Sequence, residues 1–217
     1  MVFTSNHKNF NNSPFRVLAI SGNRGKDVGY TGRCYPKLAP KIGFWHTWHE
    51  NIGKVTEDEN NKYYITEYYK QVLAHLDPEE VYRDVDDSVL LCYEDNQDFC
   101  HRHIVSAWLE LFLGVDVNEV NNKFEVQERP LYIKKVLEDV IKANRNMNGF
   151  NCIRAFYLFE KANKLDYEAD ILEGENGMVV LDFRQAAAYY RSEADMIEDK
   201  YNTKKTRVKS KKDDFKN

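Results

Sequence analysis

The chain is short of cysteine, proline and glycine: its 217 residues hold four Cys, five Pro and ten Gly. Cysteines so few and scattered exclude a disulfide scaffold and suit a reducing compartment. No uncharged apolar run approaches the roughly 20 residues that a membrane helix needs, so no membrane partner is expected. The start, Met1-Val2-Phe3-Thr4-Ser5-Asn6, lacks the basic residues and apolar run of a signal peptide. A cytoplasmic location is the expectation. A Walker loop, a dinucleotide glycine fingerprint and an HExxH pair are also missing. What is present is a 42% hydrophobic fraction rich in aromatics, with 14 Tyr and 12 Phe. That suffices for one full core with an appendage.

The net charge of −4 hides a polarised distribution. Residues 1–49 hold Lys8, Arg16, Arg24, Lys26, Arg33, Lys37 and Lys41 against Asp27 alone, a net of +6. Residues 203–217 carry seven basic residues against Asp213 and Asp214, a net of +5, which leaves −15 between. An acidic body repels a polyphosphate over most of its surface. An anion or a nucleic acid is therefore expected only at the N-terminal loops or the tail. The plainer reading, solvated surface charge, stays open.

Residues 2–5 and 15–21 read as strands, the second between Pro14 and Gly22. Residues 22–43 hold half of all the glycines, with Pro36 and Pro40, and should form a long loop. Residues 44–49 suit a short aromatic helix. Residues 63–76 repeat apolar side chains at helical spacing until Asp77-Pro78 ends the run. Residues 79–85 add a further helical turn. Residues 89–93 form an uninterrupted apolar strand, as in a parallel sheet covered on both faces. Residues 99–113 follow as a helix stopped by Gly114, and residues 115–120 as another strand. This alternation predicts an α/β, Rossmann-like three-layer domain with a mostly parallel sheet over residues 1–125. An α-helical extension is expected over 126–202 and a basic disordered tail over 203–217. Within the extension, Phe183, Ala187, Tyr190, Ala194, Ile197 and Tyr201 draw a narrow seam from about residue 181 to 201. It suits one partner helix, either of this chain or of a second copy in a homo-oligomer.

Most of the chemistry lies in one stretch. Leu90-Leu91-Cys92-Tyr93-Glu94 is followed by a polar turn and then by Cys100-His101-Arg102-His103. Ligands of open parallel sheets bind where strand ends meet helix starts. With Asp98 as the expected N-cap, Cys100 and His101 fall on the second and third helical positions. The helix dipole and a protonated His101 would lower the pKa of a thiol there. Arg102 adds a bidentate clamp for carboxylate or phosphate. The candidate catalytic residues are Cys100, His101 and Glu94. The candidate substrate- or anion-binding residues are Arg102, Cys92, Arg24 and Ser21, the last two from the turn Ser21-Gly22-Asn23-Arg24-Gly25 after a strand. Tyr30, Trp45 and Trp48 could stack on a base.

Each residue also has a bland reading. Cys92 and Cys100 are small hydrophobes that suit a core. His101 points inward as either a core or a site residue. His103 falls on the wetter face. Arg102 could pair with Glu94 or Asp98, and Ser21 to Gly25 could be an ordinary turn. A metal held by Cys92, Cys100 and His101, completed by His46 or His49, is the rival chemistry. Its spacing is not the paired motif of a zinc ribbon, and no metal ligand is carried forward.

The pattern of Cys92, Glu94, Cys100, His101 and Arg102 resembles the "LC-x-E … CHR" signature of the domain of unknown function 488 family. Residues 2–6, and Leu38 to Lys41 ahead of Phe44-Trp45, are similar to one branch of it. The resemblance covers about residues 1–120 and implies a Rossmann-like α/β domain of largely unassigned role. Taken together, the expectation is an enzyme, a hydrolase or transferase using Cys/His chemistry on a nucleotide, nucleobase or related anionic substrate. The alternative is a non-catalytic nucleotide- or anion-binding module whose helical extension mediates assembly. The cofactor is unknown.

Overall fold

A computed structural model describes residues 1–10, 15–172 and 177–213. It divides into two compact units, Met1–Asn144 and Arg145–Asn217. Pro14 and most of the Gly-containing turn after residue 172 lie outside the described residues.

The first unit is built on five strands, β1 (Val2–Asn6), β2 (Val17–Ala19), β3 (Ser88–Cys92), β4 (Asn118–Val120) and β5 (Val126–Gln127), in the order β2-β3-β1-β4-β5. The first four run parallel and only β5 is antiparallel. The expected α/β architecture with a mostly parallel sheet is therefore present. β3 is buried along its whole length, as its unbroken apolar run requires. In register with it, Asn6 of β1 faces Cys92 and Ala19 of β2 faces Leu91, so three strand ends finish at one level.

After β2 the chain makes the expected long loop. It turns back beside the sheet edge, where Ala19 N–H donates to the Arg33 carbonyl and Tyr35 N–H to that of Ala19. Gly25, at φ 75°, lies so close to His7 that an added Cβ would meet the imidazole at 2.5 Å. Only glycine fits there.

Helices cover the sheet. After the single turn α1 (His7–Phe10), α2 spans Ile42–Asn51 and α3 spans Glu57–Gln71. α3 starts earlier than its apolar pattern suggested, because Thr56 and Glu59 form a complete capping box. Asp77 caps α4 (Pro78–Asp84) through the Glu79 and Glu80 N–H groups. α5 (His101–Leu113) ends at Gly114, whose φ of 67° completes a left-handed stop. α6 (Tyr132–Asn144) buries Ile133, Leu137, Val140 and Ile141 and packs on α3 and α5. The sheet unit thus extends past residue 125 and takes in the first helix assigned to the extension.

With strands and helices on its flanks, α5 is buried on nearly all sides. His103, expected on a wet face, is 1% exposed. Charged groups buried this way need partners. Arg102 Nε lies 3.2 Å from both Glu119 carboxylate oxygens, and its Nη2 donates to the Asp95 carbonyl at 2.9 Å. Thr4 Oγ1 donates to the same carboxylate at 2.7 Å, and His103 Nε2 stands 3.5 Å away. Helix α5 is thereby locked to β1 and β4.

In the second unit α7 (Ile153–Ile171) packs along α8 (Gly177–Asp213). Ala162, Ala169, Ala187 and Ala194 are fully buried, small residues that let two helices approach closely. The seam read on the last helix thus meets α7 of the same chain. α8 continues into the basic tail as far as Asp213 instead of ending near residue 201. Glu198 accepts the Asn151 and Cys152 backbone N–H groups that begin α7. No helix is long and apolar enough to cross a membrane among the described residues.

Burial pushes the Glu119 carboxyl up, but His103, Arg102 and Thr4 outweigh it and hold its pKa below 4.5. A carboxylate depressed in the folded state adds stability above its ordinary range and loses it as pH falls through the folded value. Glu119→Ala should cost about 3–5 kcal/mol in urea unfolding, because it strands a buried guanidinium. Glu119→Gln should also flatten the acid-side decline of stability. An acid limb unchanged in Glu119→Gln would remove Glu119 as its source.

Candidate functional site

A pocket of about 670 Å³ opens where β2 and β3 end. Cys92 closes β3. Ser21 follows β2, and Cys100 is the N-cap of α5 at φ −150°, ψ 144°. Asp98 is not the cap. Its carboxylate accepts the Asp95 N–H, a local turn that satisfies it before the helix begins. His101 and Arg102 therefore take the first and second helical positions, and they point in different directions.

His101 points into the pocket floor. Its Nε2 lies 3.1 Å from the Ile20 carbonyl, and its Nδ1 lies 3.5 Å from Cys92 Sγ. A carbonyl only accepts, so Nε2 carries the proton and Nδ1 is left facing sulfur. The Tyr68 ring of α3 sits edge-on to the imidazole at 5.7 Å and holds its plane. Ligand atoms of Cys92, Cys100 and His101 all lie within 4.8 Å of one another. Glu94 Oε2 stands 3.4 Å from Cys92 Sγ.

These groups shift one another's protonation. Burial pushes the Cys92 thiol well up, and its neighbour Cys100 adds to the rise. Burial also opposes a charge on Cys100. The hydrogen bond from Cys92 and the positive charges of Arg102 and His101 win, and hold Cys100 well below the ordinary thiol value. Burial likewise disfavours charged His101, but Cys100 and Glu94 raise its pKa. Glu94 is pushed up to about 7, by burial first and then by the charge of Cys100. The pocket floor thus favours the charged forms of Cys100 and His101 beside a carboxyl that titrates near neutrality.

The walls are aromatic. Trp48, Phe99 and Tyr64 meet with ring centroids 5.3–5.7 Å apart. Trp45, His49 and Tyr93 add to the lining, with Asn23 and Asp27 at the loop side. Ser21 lines it too, its hydroxyl buried beside the Tyr93 phenol without a well-formed hydrogen bond.

Seven residues were expected to meet here, and five do. Cys92, Glu94, Cys100, His101 and Ser21 line one cavity. Arg102 does not, because its guanidinium is turned inward onto Glu119 and Asp95. It acts on the thiol by charge and leaves no clamp in the pocket. Arg24 sits exposed at φ 62° in the turn after β2 and is not in the lining. Tyr30 is core, its hydroxyl donating to the Val17 and Arg33 carbonyls. Neither His46 nor His49 joins the Cys-Cys-His group. Phe99, Tyr64 and Tyr93 were missed as lining residues. Phe99 stands next to Cys100, and that adjacency was the available signal. Tyr64 was read as plain core because its helical periodicity looks the same either way.

Residues 16–112 match the model of the DUF488-N3a family, described as the active DUF488-N3 subclade. The match spans β2 through most of α5 and includes every candidate site residue. The resemblance to the domain of unknown function 488 family is borne out over that segment, which is narrower than residues 1–120. No curated protein and no solved structure matches the chain.

The split between the two thiols has a direct readout. Iodoacetamide at pH 6 should alkylate Cys100 well before Cys92, as located by peptide mass spectrometry. Equal rates at the two cysteines would refute the assignment of the thiolate.

Proposed function

We propose that this chain is an enzyme that acts on a nucleobase or on the base of a nucleotide, with Cys100, His101 and Glu94 as its reacting groups. One observation carries the reading: a coupled thiol, imidazole and carboxyl lie at the floor of an aromatic pocket wide enough for a heterocycle. Cys100 is the attacking group, with its charge held by His101. Cys100 forms a bond to a substrate carbon as the bond from that carbon to its leaving atom breaks, and Glu94, near half-protonated at neutral pH, protonates the departing atom. Water then displaces the thiolate and gives its proton back to Glu94. A hydrolase or transferase fits this set. Trp48 and Phe99 offer faces on which a base stacks.

No Lys or Arg lines the pocket among the described residues, and Asp27 and Glu94 are acidic. A phosphate is therefore not expected inside. Arg24 and Lys26 are exposed between Asn23 and Asp27, which do line the cavity. The reading places the base within and any phosphate, free or of a nucleic acid strand, at that rim.

Bases and nucleosides should slow the alkylation of Cys100, and a nucleoside monophosphate should do so at lower concentration than its nucleoside. Replacing Arg24 and Lys26 together by Ala should remove that advantage. Fast alkylation that no base, nucleoside or nucleotide slows would overturn the substrate class. Nucleotide-induced thermal stabilisation without selective reactivity of Cys100 would point to the binding module instead.

A further inference from the structure

We infer that Cys92, Cys100 and His101 form a binding site for a thiophilic divalent cation of the zinc class, with its fourth position open to the aromatic pocket. A tetrahedral ion with Zn–S near 2.3 Å and Zn–N near 2.0–2.1 Å sets its sulfur and nitrogen ligands about 3.6 Å apart. Cys92 Sγ and His101 Nδ1 lie 3.5 Å apart. All three donor atoms fall within 4.8 Å of one another, so little movement seats an ion between them. Two thiols and an imidazole are a soft set that selects zinc over magnesium or calcium.

The surroundings are those of a ligand site. Metal-binding imidazoles usually donate their other N–H to a fixed acceptor, which orients the ring. His101 does so through Nε2 and the Ile20 carbonyl. The donors sit on a strand end and a helix cap, both stiff elements. They are buried, yet they line the cavity, which supplies an entry path. Two thiolates cancel the charge of a divalent ion, so the loaded site is neutral in a place where net charge is costly. Three protein ligands with one open position is the catalytic pattern, whereas four closed ligands is the structural one. Glu94, 3.4 Å from Cys92 Sγ, lines the same cavity.

This goes beyond the function proposed above and rests only on its location. With the ion seated, Cys100 is a ligand and not an attacking group. The ion would then supply Lewis-acid chemistry at its open position, with Glu94 in the same cavity.

The test uses the full chain, reduced and stripped with a chelator, then titrated with Zn²⁺ alone and with Co²⁺. One Zn²⁺ per chain is expected. Co²⁺ should show sulfur-to-metal charge-transfer absorption. Cys92→Ala and His101→Ala should each weaken Zn²⁺ binding by about a hundredfold or more, while Glu94→Gln should keep the stoichiometry. If a variant fails to fold, the unmodified protein still decides, since Zn²⁺ should protect both Cys92 and Cys100 from alkylation. Substoichiometric Zn²⁺, a cobalt spectrum without sulfur bands, or no protection of Cys92 would overturn the site. Alkylation of the metal-free protein is read separately. Fast Cys100 labelling without Zn²⁺ binding sinks this inference alone, and slow labelling with Zn²⁺ binding sinks the thiolate reading alone.

Discussion

The buried ion pair between Arg102 and Glu119 is the interaction on which the rest of the structure depends. A guanidinium without solvent contact needs close partners, and here a carboxylate from β4 accepts from Nε and a carbonyl from the 93–99 turn accepts from Nη2, while Nη1 is buried without a hydrogen bond. Thr4 ties the same carboxylate to β1. The start of α5 is thereby pinned against two strands and the turn that precedes it. Cys100 and His101 are the residues immediately before Arg102, so their positions follow from where Arg102 is anchored.

The pair also shapes the chemistry on the other side of the helix. Glu119 absorbs the hydrogen bonds of Arg102, but the guanidinium charge still reaches Cys100 through a poorly screened interior. A single cation therefore serves as a structural pin and as a source of field. An arginine in the pocket would have been hydrated and free to move. Its charge would have been weaker at the sulfur and would have varied with the ligand. Burying it makes the field at Cys100 a constant of the fold.

The sheet, the long loop and the strand-turn-helix site were legible because each leaves a local pattern. β3 shows as an unbroken apolar run, the 22–43 loop as clustered glycines, and the stop of α5 as Gly114. The direction of Arg102 was not legible. Helix phase places it only relative to its neighbours, and its partner Glu119 is 17 residues away in a strand too short to predict with its register. The cap was misassigned for a similar reason. Asp98 is a favourable N-cap residue, but a turn bond to Asp95 competes for the same carboxylate. His103 looked wet because α6, which helps to cover α5, was assigned to another domain. The errors at Arg102 and His103 came from long-range contacts, and the error at the cap from a local turn bond that competes with capping.

The inward turn of Arg102 also changes which ligand the site suits. With that guanidinium withdrawn, the cavity offers aromatic faces, two acids and the sulfur-imidazole floor. Stacking is worth about 1–3 kcal/mol per base and depends little on charge. Placing a phosphate beside Glu94 or Asp27 would set like charges together in a partly dry space. Lysine and arginine charge lies outside, at Arg24 and Lys26 on the loop that returns past β2. A ligand with a flat, uncharged head and an anionic tail satisfies both zones at once. A wholly anionic ligand satisfies only the rim, because its inner end would lie beside Glu94 and Asp27. On the proposed reading, the polarity of the cavity orders the ligand from floor to rim and brings the ring, not the phosphate, against Cys100.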